Sequence, residues 1–470
     1  MFNLKWGKQQ FIVISSFIFS IISVIVLPGS ISTAISLLSI TLIILIGYDV
    51  SEKHRGMKAS QSILFVPILL SVIQNIYLGL ASNKLNSTSL QILLSLHFFL
   101  FSGLVLLRLK YIIKYEKTII VVLLILLLQS VLLLIVYPTT VVSAISSLRN
   151  ILSCILLYCF GLIMSSKDSS KLFKSIIIIS WFVVIFGLVE RFVGLRIWQS
   201  LGITRLWYLK GISTNTVGVP LNWFSSEIIR GSNLRRMVSS FADPVNLGSF
   251  LFASFVISWY RRNKVLTSFL LVCAVLTISK GALLGFLIFI MVYFWESKRN
   301  RIIIPIVSLL ALFIGIRFVN FSLTSSNGSI VVHTMGLLNS FSVLITHPFG
   351  LGIGNVGVLA GLFNDSLFNS GVSETGIGMI IAQLGIVGLI AYIVFFTRLF
   401  LIPKEWDYTS ERDRKLYYTL LLSILANSFF NEVALSPNSC GIYFICLACI
   451  NVSNTANNDN TIRTTNRLSD

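Results

Sequence analysis

Ionisable side chains are scarce in this sequence, and the few placed among apolar stretches are the ones that could do chemistry. Arg235 and Arg236 stand together in NLRRMVSSFADP, and Lys280 interrupts the apolar run TISKGALLGF. The stretch from about 195 to 245 also holds Arg196, Arg205, Lys210 and Arg230 against only Glu227 and Asp243. Such a cationic loop suits an anion, because the guanidinium fork grips phosphate or carboxylate through two hydrogen bonds. The competing reading is contact with lipid headgroups, to which a Lys such as Lys280 can also snorkel. Arg149 is different, since it falls about two turns inside an apolar segment. An arginine at mid-membrane costs roughly 2.5–3.5 kcal/mol on insertion scales. It must snorkel outward, pair with a buried acid such as Glu190, or face an anionic ligand.

A second polar stretch, from about 320 to 375, contains no Lys or Arg and holds His333, His347, Asp365 and Glu374. His333 and Glu374 are of the types that accept a proton near neutral pH once their surroundings tune them. His347, directly before Pro348, reads first as a residue that holds a turn. Gly350, Gly352 and Gly354 form GLGIG, but no strand precedes it, so it is not a nucleotide-binding fingerprint. Glycine there permits tight backbone turns. The apolar spacing of 331–346 predicts a helix, amphipathic and suited to a membrane surface.

Membrane-spanning helices must position these groups. The segment Thr118 to Val136 carries no charge, and 55% of all residues are hydrophobic. A hydrocarbon core of roughly 30 Å needs about twenty apolar residues in helical form, with every backbone group paired inside the segment. The pattern therefore predicts an all-α, polytopic transmembrane helix bundle. About fourteen spans are expected by this criterion, at 11–27, 31–50, 60–81, 89–107, 118–137, 143–165, 175–194, 246–260, 265–279, 281–295, 302–319, 376–397, 416–434 and 438–452. Residues 1–452 then make one membrane domain, and the polar tail 453–470 is expected to be disordered.

The formal net charge of +19 fits cytoplasmic loops enriched in Lys and Arg better than a nucleic-acid partner. With Lys5 and Lys8 inside, every later inside loop is basic, both termini are cytoplasmic, and 195–245 and 320–375 are the two large outer loops. Such long connections are usually functional. The six cysteines fall in apolar segments, where Cys behaves as a small hydrophobe, so neither disulfide nor metal site is expected. The outer loops lack a D-x-D pair to hold Mg²⁺.

Four segments in order resemble the O-antigen ligase and polysaccharide polymerase superfamily. NLRRMVSSFADPVNLGSFL is similar to its Arg-containing stretch ending in Pro-Asn, with Asn246 displaced by one. TISKGALLGFL resembles its S-R-G-A hairpin, with Lys280 in place of Arg. HPFGLGIGNVG resembles its glycine turn, and SETGIGMIIAQLGIVGLIAYI its closing span. The resemblance covers roughly 230 to 397. Where the ligase branch carries a His-Asn/Ser pair, this chain has Asn364-Asp365-Ser366 and Ser373-Glu374-Thr375, which favours the repeat-unit polymerase branch.

The resemblance implies a metal-independent, cofactor-free glycosyltransferase in the cytoplasmic membrane of a bacterium. Its substrate would be an undecaprenyl-diphosphate-linked glycan on the outer face, and its product a capsule, exopolysaccharide or O-antigen chain. A chain-length regulator would be a fitting partner. His333 or Glu374 would be the base, and Arg235, Arg236, Lys280 and Arg149 would hold the diphosphate. Arg230, Asp243, Asn246, His347 and Asp365 would contact the glycan. The alternative is a flippase for lipid-linked oligosaccharides. It should show two related halves, yet no internal repeat is visible and intramembrane charge is sparse.

Overall fold

The computed structural model describes residues 7–53, 57–165, 170–229, 232–294, 329–357, 375–406 and 410–468. The first half forms α1 (Lys8–Val26), α2 (Gly29–Lys53), α3 (Met57–Ala81), α4 (Ser87–Leu94), α5 (Leu96–Leu107), α6 (Leu109–Tyr115), α7 (Lys117–Val136), α8 (Val141–Met164) and α9 (Ser170–Val193). Short helices α10 (Arg196–Ser200) and α11 (Ile203–Leu209) follow, then an antiparallel hairpin of β1 (Phe224–Ile229) and β2 (Ser232–Arg235). The second half contains α12 (Pro244–Tyr260), α13 (Lys264–Leu276), α14 (Lys280–Phe294), α15 (Ser329–Thr346), α16 (Gly376–Leu401), α17 (Glu411–Ser428) and α18 (Pro437–Leu468). The described residues are helical apart from the hairpin, which lies within the 195–245 stretch.

Seven described helices are each long and apolar enough to cross a membrane, and α4 with α5 would make an eighth as a bent pair. This is fewer than the expected fourteen. Segment 302–319 lies outside the described residues. The expected spans 246–260 and 265–279 form helices of 17 and 13 residues, about 20–25 Å long at 1.5 Å per residue, short of a full hydrocarbon core; the span expected at 281–295 is helical over Lys280–Phe294, as far as the described residues run. Helix α18 does not stop at 452. It runs on to Leu468, through the polar segment expected to be disordered.

Burial explains the arrangement. Helix α8 is the most enclosed of the seven, with α18 packed along it. Its Ser143, Ser146, Ser147, Ser153 and Gly161 let backbones come close: a Cβ on Gly161 would lie 2.5 Å from that of Ala448. Small residues serve this purpose in membranes, where packing rather than water drives helix association. Outward faces are apolar instead, as Leu38, Leu128, Ile135 and Ile178 are each more than 60% exposed. An apolar exterior around small, polar-containing helices is what a lipid solvent selects. All six cysteines are buried free thiols.

Contacts between connections segregate to two ends of the bundle. At one end Arg398 binds Glu116 (Nε to Oε2, 2.9 Å) and Glu405, Gln9 reaches Asp49 at 2.8 Å, and Trp406 reaches Asn451 at 3.3 Å. At the other, Lys84 caps the Ile25 and Val26 carbonyls and Ser143 donates to Gly354 O at 2.6 Å. The second end carries the loop 195–245.

Two membrane helices are interrupted. One break separates α4 from α5 at Ser95, with a 47° bend. The other lies within α16 at Gly385, whose φ is +64°. There the freed Ala382 and Gln383 carbonyls accept from Leu351 N (2.8 Å) and Gly352 N (3.2 Å), and Ile386 N donates to Pro348 O at 2.8 Å. The glycine turn therefore lies backbone to backbone on the helix break. Gly350 has φ +93°, and a Cβ there would stand against the Gln383 carbonyl. Gly350→Ala should accordingly destabilise the protein by at least about 2 kcal/mol, the order of a left-handed non-glycine residue plus a backbone clash. Thermal unfolding in detergent checks this; an unchanged midpoint would show that the turn does not clamp α16.

Candidate functional site

The break between α4 and α5 has a price in hydrocarbon, because helix carbonyls lose their intrahelical donors. Two side chains replace them. Gln74 Nε2 of α3 donates to Leu93 O at 3.2 Å, and Arg149 Nη1 of α8 donates to Leu94 O at 3.3 Å. Arg149 Nε is buried with no partner among the described residues. His97 is the second residue of α5, directly after the break. It is 2% exposed, and neither ring nitrogen has a partner among the described residues. Its ring lies 6.3 Å from that of Phe101, and Arg149 is close enough for its charge to act on the imidazole.

Asn75, beside Gln74 on α3, extends this polar line. Its Oδ1 accepts from Lys210 Nζ at 2.7 Å, and its amide nitrogen donates to the Phe241 carbonyl. The Lys210 ammonium also sits 4.4 Å from the centre of the Trp207 ring. Burial pulls the Lys210 ammonium down to about 7, with the charge of Asp243 opposing and that of Arg149 adding to the shift. Lys210 is thus charged below pH 7 and neutral above it, so an anion bound here should be held less tightly as pH rises through 7. Lys210→Arg keeps its charge. The ratio of wild-type to variant affinity for pyrophosphate should fall about tenfold between pH 6 and pH 8, about the change expected when one unit charge is lost at an enclosed site. A flat ratio would remove Lys210 from the site.

The line continues through the segment after β2. Asp243 caps α12, with Oδ2 accepting from Asn246 N at 2.8 Å and Oδ1 from Asn222 Nδ2 at 2.9 Å. Burial raises the Asp243 carboxyl above its ordinary value, against the pull of Asn246 N–H, Arg236, Asn222 and Lys210. Arg236 donates from Nε to Thr277 O at 2.8 Å and from Nη1 to Asn222 O at 3.1 Å, so it caps the end of α13. The turn that follows places Ile278 at φ +50° and begins α14 at Lys280, which is partly buried. Gly281 leaves room there for Asn427 of α17. One polar belt therefore joins α3, the α4–α5 break and α8 to the head of α14.

The expected site residues divide. Arg149, Arg236 and Asp243 belong to the belt, and Lys280 and Asn246 lie at its α12–α14 end. Arg235 turns away: its guanidinium binds the carboxylate of Glu190, which is fully buried, and Nη2 also reaches Glu190 O at 3.3 Å. Glu190, one of the partners open to Arg149, is thus taken by Arg235. His347 is partly exposed, with Nδ1 3.0 Å from Thr346 Oγ1, and its carbonyl accepts from Gly350 N at 2.9 Å, which suits a turn residue. The His333 side chain, and Arg230, Asp365 and Glu374, lie outside the described residues.

Two groups escaped the sequence reading. His97 is the only ionisable residue in 89–107, which was signal enough, since such residues inside spans are expensive. Glu432 lies in a short 3₁₀ turn (Glu432–Leu435) after α17 and is 6% exposed. A Cβ on Gly357 would be 2.9 Å from its Oε1, and the adjacent Asn431 carbonyl accepts from Gly376 N at 3.1 Å. It hid at the edge of an expected span, where an acid reads as a solvated helix end.

Among the described residues the belt brings the cations Arg149, Lys210 and Arg236 beside the carboxylate of Asp243. Such an imbalance in an enclosed place suits a multiply charged anion. No family model and no curated protein matches the sequence.

Proposed function

We propose that this protein is a membrane glycosyltransferase that joins undecaprenyl-diphosphate-linked repeat units into a polysaccharide, as the four segments resembling the polymerase superfamily imply. The observation that carries this reading is the belt of Arg149, Lys210 and Arg236 leading to Lys280 at one end of an apolar helix bundle. A hydroxyl oxygen of the acceptor repeat attacks the anomeric carbon of the donor sugar. The bond from that carbon to the diphosphate breaks, and its electron pair leaves with the diphosphate. The cations stabilise the charge that develops there, where preorganised groups in a water-poor site act most strongly. The hydroxyl proton passes to a base, for which His333 and Glu374 are the candidates by residue type and Glu432 is a third. Basic loops at the Arg398 end favour a cytoplasmic location for that end and an outer one for the belt, in the cytoplasmic membrane of a bacterium.

A flippase for the same lipid-linked glycans is the second reading. The helix broken at Ser95 favours it, since interrupted helices near charged side chains are common in transporters. Purified protein with a synthetic lipid-linked repeat separates the two: chain growth supports the polymerase, and movement across vesicles without growth supports the flippase. For the polymerase, Arg236→Ala and Lys280→Ala should each lower polymer formation on the order of 10²-fold, the usual effect of removing one charge-stabilising donor, with membrane insertion intact. Normal chain length in both variants would refute the phosphate role.

A further inference from the structure

We propose that the break between α4 and α5 is the seat of a phosphoryl group, gripped jointly by the imidazole of His97 and the guanidinium of Arg149. The proposal rests on the diphosphate reading of the polar belt and adds His97 to it as a ligand-binding residue. His97 is enclosed on α5 with both ring nitrogens unpartnered among the described residues. A neutral imidazole always carries one donor and one acceptor. Enclosing both without partners is unfavourable unless a ligand completes them. Arg149 is similarly incomplete. Among the described residues its guanidinium bonds to a neutral carbonyl, Leu94 O, its Nε has no partner, and no carboxylate pairs with it.

These incomplete groups face one place. Arg149 touches the last carbonyl of α4, and His97 lies in the first turn of α5, three residues further on. The charge of Arg149 reaches both His97 and Lys210. An oxyanion with several acceptor oxygens would take the imidazole N–H and the guanidinium fork together, and would relieve the mutual repulsion of Arg149 and Lys210. A carboxylate offers two oxygens and one charge; the diphosphate of a lipid-linked glycan offers twice as many of both. The aromatic Phe98 and Phe101, packed edge to face at 5.3 Å, line the same helix and keep this place poor in water.

The test uses the full-length protein in detergent, with inorganic pyrophosphate and farnesyl diphosphate as probes and calorimetric titration as the readout. His97→Ala should weaken farnesyl diphosphate binding at least tenfold, and His97→Gln, which restores a donor, should recover most of that loss. His97→Phe should fold as stably as the wild type, because it replaces unpartnered polar atoms with an apolar ring, yet bind as poorly as the alanine variant. Combined with Arg149→Ala, the loss should be less than the product of the two separate losses, as for residues sharing one ligand. Tighter binding of farnesyl diphosphate than of pyrophosphate identifies a lipid-borne headgroup; equal binding identifies the free anion. Unchanged affinity in His97→Ala and His97→Phe, with Arg149→Ala defective, overturns the His97 assignment and leaves the diphosphate reading standing. Unchanged affinity in Arg149→Ala and Arg236→Ala as well overturns both.

Discussion

Replacing Arg149 with alanine is expected to lower polymer formation about 10³-fold, the upper range for removing a preorganised charge-stabilising group, while the protein still accumulates in the membrane. The expectation follows from where the guanidinium stands. It stands two turns into α8 and, among the described residues, holds the Leu94 carbonyl alone. Its structural loss is therefore one hydrogen bond, about 1 kcal/mol net, partly offset because a buried charge has been removed. On the proposed reaction its functional loss is the charge that would face the developing diphosphate. Arg149→Lys should recover part of the activity, since it keeps the charge and loses the fork. Extracted polysaccharide run on a gel, beside the protein level in the membrane fraction, reads both quantities. Long chains at normal yield from the alanine variant would show that Arg149 only mends the helix break.

Arg235→Ala should behave in the opposite way, although Arg235 and Arg236 are adjacent in sequence. Glu190 has no exposed side-chain surface and takes the Arg235 guanidinium as its ionic partner, with Val238 N 3.5 Å from its other oxygen. Removing one member of such a pair strands the other, at about 3–5 kcal/mol. The variant should lose most of its thermal stability and its abundance in the membrane. The double replacement Arg235→Met with Glu190→Leu should regain much of that stability, because apolar residues of similar volume often substitute for a buried pair without loss. Activity should return with it. A stable but inactive Arg235→Ala protein would instead restore Arg235 to the diphosphate-binding set.

The contrast between these arginines marks where sequence reading ends. Both stand in NLRRM and read as equal phosphate ligands. A one-residue step along an extended strand sends neighbouring side chains to opposite faces, so one arginine meets Glu190 and the other meets Thr277 and Asn222. The partners that each finds lie 14 to 45 residues away, beyond any local pattern. His97 makes the same point in reverse: its rarity within an apolar span was visible, but its lack of partners depends on what α3 and α8 bring to it.

The break at Ser95 carried no glycine or proline to announce it. Its cause is tertiary, because Gln74 and Arg149 supply donors that make an interruption tolerable. The break at Gly385 was half visible as a glycine in LGIVG, but the turn that pairs with it comes from residues 348–352. Two short helices, α12 and α13, likewise read as spans by apolarity alone. Their lengths depend on where Asp243 starts the one and where Arg236 and the Thr277 turn end the other.

By itself the sequence determined the solvent of this protein and the position of most of its helices. Apolarity over some twenty residues is a local property, and lipid leaves the backbone no alternative to the helix; α1, α2, α3, α7, α8 and α9 therefore lie within a few residues of the expected spans. Only the tertiary structure decided which charge pairs with which partner. That choice depends on distances between groups far apart in the chain, and an ion pair forms or fails over a few ångströms of packing.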